Sequence, residues 1–525
     1  MEEEYSVDDP TQLLEAASDF ALYPGVPNDA SVKDFLDRFP LPVIINALQT
    51  KGDVPGLENT LVACLERIFK TKYGASLIPH YMPFVQVGLK ADSQTVKSLA
   101  CHTVTCFLEH FDEKTVSPAR LLIDNDIYPL LLDCLLYGNE RVATASMDAI
   151  KTLAGCPGGM DIIFPENKNV ATHLGNLVAQ CSSLGRVRVL ALVAKLFSVS
   201  SSVASVIYHS NLLSAFEAEI NNTNDVLVTL SVLELLYELA DIQHGTEFLS
   251  RTALLQLLGS IISTSTESIS RSRAMMISGR LMSKENIYMF VDEYGVKAVI
   301  SAIEKILEPS DRQEIDEIEY ALEALGYIGS LQQGAALLFS SSLPVVRHVI
   351  DAAFDRQGHG KQLSALHALA NIAGESRPED KILLNGNAEE SLRKLIYETA
   401  SKSPKLTPSG LLVSVLQQDS EIRLAAYRAI TGMVARPWFL MEICSKQEII
   451  STVTDVNTET TKIGMEARYK CCQSIHMALA SSSKLNSDPA VAGIATKLQE
   501  AVRMGPYLRR KHTEAQPVVM TAERF

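Results

Sequence analysis

His102, Cys106 and His110 follow one another at i, i+4 and i+8, so a single helix face offers three metal-ligating side chains. No fourth ligand accompanies them at a metal-binding spacing, and the expectation is a packed cysteine between two ordinary histidines, with no metal. Gly358-His359-Gly360-Lys361 has the look of a phosphate loop, but a P-loop needs a glycine where Asp355 stands and a hydroxyl where Gln362 stands. A tight turn between two helices is the expectation there. Adjacent Cys471 and Cys472 point to different faces of a helix, and no basic or histidine partner at a fixed spacing activates either thiol. The chain has no HExxH, no GxSxG and no Rossmann glycine pattern. The reading is non-catalytic, with no catalytic residue, no metal and no cofactor.

Two charged stretches remain. Glu314, Asp316, Glu317 and Glu319 form an acidic run whose default is a solvated helix face, the alternative being a docking strip for a basic partner. Arg509-Arg510-Lys511 is a short basic stretch near the C-terminus, too short to read firmly as a nuclear signal.

The elements that carry these residues follow from composition and period. Of 525 residues 47% are hydrophobic and 21% charged, which excludes disorder. A formal net charge of −15 has the wrong sign for binding phosphate backbones, so no nucleic-acid partner is expected. The nine cysteines contain no CxxC pair and read as reduced thiols. The acidic Met1-Glu-Glu-Glu4 start leads into no apolar segment of the secretory type, and the most apolar stretch, Leu190 to Tyr208, is broken by Lys195 and several serines. These features predict no leader, no membrane partner and no small-molecule substrate; the expected location is cytoplasmic, with the nucleus as a second compartment.

Sustained period-2 alternation is absent, and the class reads as all-α. A step of Leu or Ile followed by a small residue closes a series of amphipathic stretches: Ala149-Ile-Lys-Thr-Leu-Ala154, Leu235-Leu-Tyr-Glu-Leu-Ala240, Ala324-Leu-Gly-Tyr-Ile-Gly329 and Ala368-Leu-Ala-Asn-Ile-Ala373. The residue before that step marks a register through Thr152, Lys195, Glu238, Arg280, Tyr327 and Asn371, with spacings of 43, 43, 42, 47 and 44 residues. This is the period of armadillo and HEAT repeats. The register extends back to about Phe107 and Arg67 and on to Met433 and Met477, giving roughly ten helical repeats in an armadillo/HEAT-type α-solenoid, a right-handed superhelix. The long step of 62 from Asn371 to Met433 places an inserted loop around 375–410, where prolines and glycines gather. The expected domains are an acidic flexible N-terminal extension at 1–32, the solenoid at 33–505, and a flexible tail at 506–525.

In armadillo arrays the marker position and the one four residues before it line the groove. Here those pairs are Asp148/Thr152, Ala191/Lys195, Glu234/Glu238, Met276/Arg280, Glu323/Tyr327 and His367/Asn371. Glu234, Glu238, Glu323, Tyr327, His367 and Asn371 are the expected partner-binding residues, a mainly acidic set that would speed encounter with a cationic segment. The array of Trp and Asn used by nuclear import adaptors is missing, since Trp438 is the only tryptophan.

Toward the C-terminus, Glu421-Ile-Arg-Leu-Ala-Ala-Tyr-Arg-Ala-Ile430, Ala435-Arg-Pro-Trp438, Ala467-Arg-Tyr-Lys470 and Gly505-Pro506-Tyr507 resemble, in order and spacing, the landmarks of the 26S proteasome non-ATPase regulatory subunit 5 family. The resemblance implies a chaperone for assembly of the proteasome regulatory particle base. It would bind the C-terminal domain of a proteasomal ATPase subunit and delay docking on the core particle. The alternative is a general armadillo scaffold unrelated to proteasome assembly. The acidic start and the basic Arg509-Arg510-Lys511 stretch depart from the family pattern.

Overall fold

The computed structural model describes residues 10–50, 54–110, 118–165, 173–221, 225–285, 287–309, 314–341, 344–482 and 489–507. Every regular element among them is a helix, and none is long and apolar enough to cross a membrane. The chain is an all-α solenoid built from helical pairs, and it divides into two compact units, 1–254 and 255–525.

In the first unit, the marker residues Arg67, Phe107, Thr152, Lys195 and Glu238 fall on five long helices, Leu57–Phe69, Gln94–Glu109, Glu140–Ala154, Ser183–Phe197 and Val226–Asp241. Each packs on the next. Their starts are written in the sequence as N-caps: Ser93, Asn139, Ser182 and Asp225 each accept a backbone N–H from inside the first turn. Shorter helices form a second row, as where Met82–Lys90 packs against Ile127–Tyr137. On Val226–Asp241, Val232, Leu236 and Leu239 are almost wholly buried, each worth about 2 kcal/mol on removal from water. Leu227 at its start is 76% exposed, so that helix is not packed all round.

The second unit repeats the plan through Ser268–Met282, Ile315–Ile328, His359–Ala373, Ser420–Met433 and Lys462–Ser481, followed by Pro489–Met504. Its long helices approach closely because small residues meet at the crossings. A Cβ on Gly326 would lie 2.8 Å from Ala368 Cα, and one on Gly279 would lie 3.0 Å from Ala324 Cα.

Buried guanidinium groups then fasten the helix ends. Arg377 donates to the carbonyls of Gly329 and Ser330 at the end of one long helix and of Asn371 and Ile372 at the end of the next. Arg436 does the same for Ala373 and Gly432. Last-turn carbonyls lack intrahelical partners, and a cation also matches the negative end of the helix dipole.

Three expectations need correction. The segment at 10–32 is not flexible throughout: Pro10–Leu22 is a helix packed on Leu57–Phe69, with Leu13 and Ala17 fully buried, and Asp29–Arg38 is a second helix with a capping box at Asn28. Nor is 375–410 a loop. It contains the helix Gly386–Lys402, which buries Ala388, Leu392, Ile396 and Ala400 at four-residue intervals, and Pro408 opens the next helix at its first position. The longest stretch of the step outside α-helix is 374–385, which holds the short 3-10 turn Glu379–Lys381 and is tied down by Arg377. Finally, Met276, expected to line the groove, is buried at 5% exposure, and the register residues Phe107 and Met433 at 2% and 1%, so the register turns into the core on those three helices. Met1-Glu-Glu-Glu4 and Arg509-Arg510-Lys511 lie outside the described residues.

Candidate protein-binding face

Three long helices of the second unit, His359–Ala373, Ser420–Met433 and Lys462–Ser481, share a polar seam. Arg428, on Ser420–Met433, donates through Nη1 to His367 Nδ1 at 2.7 Å and through Nη2 to Asn371 Oδ1 at 3.0 Å and Glu375 Oε2 at 3.1 Å. Lys470, one long helix further, reaches the other oxygen of Glu375. An imidazole that accepts at Nδ1 is neutral, and both burial and the neighbouring Arg428 charge push the His367 pKa below its ordinary value. Burial alone would raise Glu375, but the bonds and charges of Lys470 and Arg428 outweigh it and hold the carboxyl below the usual range. On Ile315–Ile328 burial raises Glu323, only partly offset by the hydroxyl of Tyr327 and the charge of Arg280.

The first unit builds the same kind of seam with different residues. Lys195 Nζ bonds Asp148 Oδ1 at 2.8 Å between neighbouring long helices. Glu66 lies 3.3 Å from His102 Nδ1 and 3.5 Å from Arg141, and the His102 hydrogen bond is the main cause of its lowered pKa. Glu234 and Glu238 are both exposed, one turn apart on Val226–Asp241.

The structure therefore brings His367 and Asn371 together on one guanidinium, places Glu323 beside Tyr327, and leaves Glu234 and Glu238 facing solvent. Sequence reasoning missed Arg428, Glu375 and Lys470. Arg428 and Lys470 stand inside the landmark stretches, but the 62-residue step shifts the count, so that the position four before the marker is Ala429. With these cations in place the seam of the second unit is charge-paired, where a mainly acidic groove was expected.

The other candidates resolve into structure. His102 turns to Glu66, while the His110 ring meets the Cys106 carbonyl at 3.0 Å and burial pushes the Cys106 thiol up to about 11. Cys471 and Cys472 are both fully buried. Gly358, at φ 88°, makes the expected turn into His359–Ala373. Within the acidic run Glu317 is 4% exposed and clasped by Arg271, whose Nη2 donates to Oε2 at 2.8 Å. The landmark residues are clasps as well. Glu459, itself buried, holds both Arg423 and the Tyr427 hydroxyl, the latter at 3.0 Å. Arg468 donates to the Val453 carbonyl at 2.7 Å and the Pro506 carbonyl at 3.3 Å. Trp438 packs on Tyr397 with ring centroids 5.8 Å apart.

Stacked helical pairs with a polar seam along the long helices define a helical-repeat protein of the α-solenoid class, a class whose extended surfaces bind other proteins. The chain belongs to the family described as Proteasome non-ATPase 26S subunit, whose sequence model matches residues 57–524. Among relatives it is similar to the 26S proteasome non-ATPase regulatory subunit 5 of Homo sapiens, 21% identical over 464 residues covering 85% of this chain and 84% of that protein. The Bos taurus protein of the same name is 21% identical over 456 residues, with the same shares covered. Among solved structures, an engineered protein aligns with 88% of this chain and 98% of its own at TM-score 0.37 and 15% identity. A designed armadillo repeat protein in complex with the peptide (KR)4 aligns with 48% and 95% at TM-score 0.36 and 15% identity.

Proposed function

We propose that this protein is a non-catalytic chaperone for assembly of the 26S proteasome regulatory particle base. It binds the C-terminal domain of a proteasomal ATPase subunit along the seam of the long helices, and by covering that domain it delays docking on the core particle. The cytoplasm is the main place of action, with the nucleus as a second. The observation that carries the reading is the family match over nearly the whole chain, residues 57–524. The seam adds a physical means. Glu234 and Glu238 in the first unit, and Glu323, Tyr327, His367 and Asn371 in the second, present polar groups one turn apart, as a partner read along a helix face requires. Exposed acids at such positions raise the rate of encounter with a basic partner surface more than they fix affinity.

The test is affinity purification of the full chain from cell extract, followed by size separation of what accompanies it. ATPase subunits in subcomplexes smaller than the completed particle are the expected result. Stoichiometric presence in completed 26S particles would overturn the docking delay, and a set of partners lacking proteasomal ATPases would replace this reading with the general scaffold.

A further inference from the structure

The first unit contains an apolar cavity of about 940 Å³ that the seam does not use. It opens between two short-row helices, Leu41–Thr50 and Met82–Lys90, and is floored by Leu57–Phe69 and Gln94–Glu109. Leu48 and Val85 line its walls, and Leu65, Phe69 and Leu99 its floor. In the following repeat Met82–Lys90 packs directly on Ile127–Tyr137, so the cavity stands where a short-row contact would otherwise be made. The apolar surface continues outward, because Phe84 is 41% and Val87 52% exposed at the mouth. Such a shoulder has no purpose for a small ligand enclosed within the walls, whereas a helix laid into a groove covers both the slot and its shoulders. The polar end is acidic: Glu58, which accepts from Ser93 Oγ at 2.6 Å, and the exposed Asp92 both line it.

We propose that this slot binds an amphipathic helix of a partner protein, with apolar anchors at i, i+3 and i+4 filling the cavity and flanking Lys or Arg residues meeting Glu58 and Asp92. The occupant is cationic by charge complementarity with that rim and with a chain of net charge −15. The site is separate from the seam and does not depend on the proteasomal reading.

The test uses the full chain and two fluorescein-labelled 18-residue probes, one of Leu and Lys at helical spacing and one of Leu and Glu. Fluorescence anisotropy is expected to show the Leu/Lys probe bound at least ten-fold more tightly. Val87→Glu adds negative charge yet places it at the apolar mouth, and is expected to weaken the Leu/Lys probe at least five-fold; Phe84→Glu should do the same, and Asp92→Lys should weaken it about three-fold. All three side chains are exposed, and unchanged melting temperatures would establish that the variants fold. Equal binding of both probes would overturn the proposal, as would unchanged or tighter binding to Val87→Glu, which would reveal charge attraction alone. Binding of dodecylamine without binding of either peptide would assign the cavity to a small amphiphile and overturn it equally.

Discussion

Arg436 and Glu389 form a two-pronged ion pair, Nε to Oε2 at 2.7 Å and Nη2 to Oε1 at 2.9 Å, with the arginine side chain only 2% exposed. The same guanidinium donates to the carbonyls of Ala373 and Gly432, so one buried group joins the helix Gly386–Lys402 to the ends of two long helices. Removing the carboxylate leaves a buried cation without its counter-charge. Glu389→Leu should therefore destabilise the chain by about 3 kcal/mol. The double variant Glu389→Leu with Arg436→Met should not recover fully, because two carbonyls lose their donor and the Leu384 N–H, which Glu389 Oε1 accepts at 2.8 Å, loses its acceptor. Urea denaturation of the three proteins measures both effects, and full recovery in the double variant would reduce the arginine to a simple ion-pair partner.

The contact between Gly326 and Ala368 yields a second expectation. A methyl group on Gly326 would sit 2.8 Å from a backbone atom of the neighbouring long helix, too close for either helix to accept without moving. Gly326→Ala improves helix propensity by about 1 kcal/mol, yet overpacking costs typically about 1–3 kcal/mol. Net destabilisation is expected in a thermal melt. A rise in melting temperature would mean that the two helices are free to separate.

Stability should fall on acidification, and His367 and Glu375 give the sign. Both have folded-state pKa values below the ordinary ones, His367 through burial and Arg428, Glu375 because Lys470 and Arg428 outweigh its burial. A depressed pKa means that the unfolded chain binds protons that the folded chain refuses, so the contribution is complete above the unfolded pKa and lost as pH falls. The histidine part should begin to disappear below about pH 6.5 and the glutamate part below about pH 4.3. His367→Gln keeps a hydrogen-bonding group but no titration. Melting temperatures from pH 7.5 to 5.5 should decline less in that variant, and parallel curves would remove His367 from the account.

Much of the repeat plan was legible because each turn of it leaves a mark in one stretch of sequence. The Leu239-Ala240 step is buried where neighbouring pairs meet, and Asn139 and Asp225 announce their helices by capping them. Gly386–Lys402 was not legible, since it turns only four small or aliphatic side chains inward and prolines and glycines flank it on both sides. The seam was half legible. His367 and Asn371 could be placed by counting, but Arg428 reaches them from 57 to 61 residues away through a long side chain, and no local period records that reach.

The remaining expectation separates binding from folding on Val226–Asp241. Glu234 and Glu238 are exposed on a helix whose burial rests on Val232, Leu236 and Leu239, so charge reversal there touches no core residue. Glu238→Lys should melt within about 0.5 kcal/mol of the parent, as surface substitutions usually do, and the double variant Glu234→Lys/Glu238→Lys should still fold, since no core residue is replaced. If these acids steer a basic partner surface, the variant should capture ATPase subcomplexes several-fold more slowly, the deficit should shrink as salt is raised, and the dissociation rate should change little, because steering acts on encounter. A slower capture that salt does not diminish would indicate a direct contact. Capture at the parent rate at low salt would remove both glutamates from the binding face and confine it to the second unit, where Glu323 and the groups gathered on Arg428 would have to account for it.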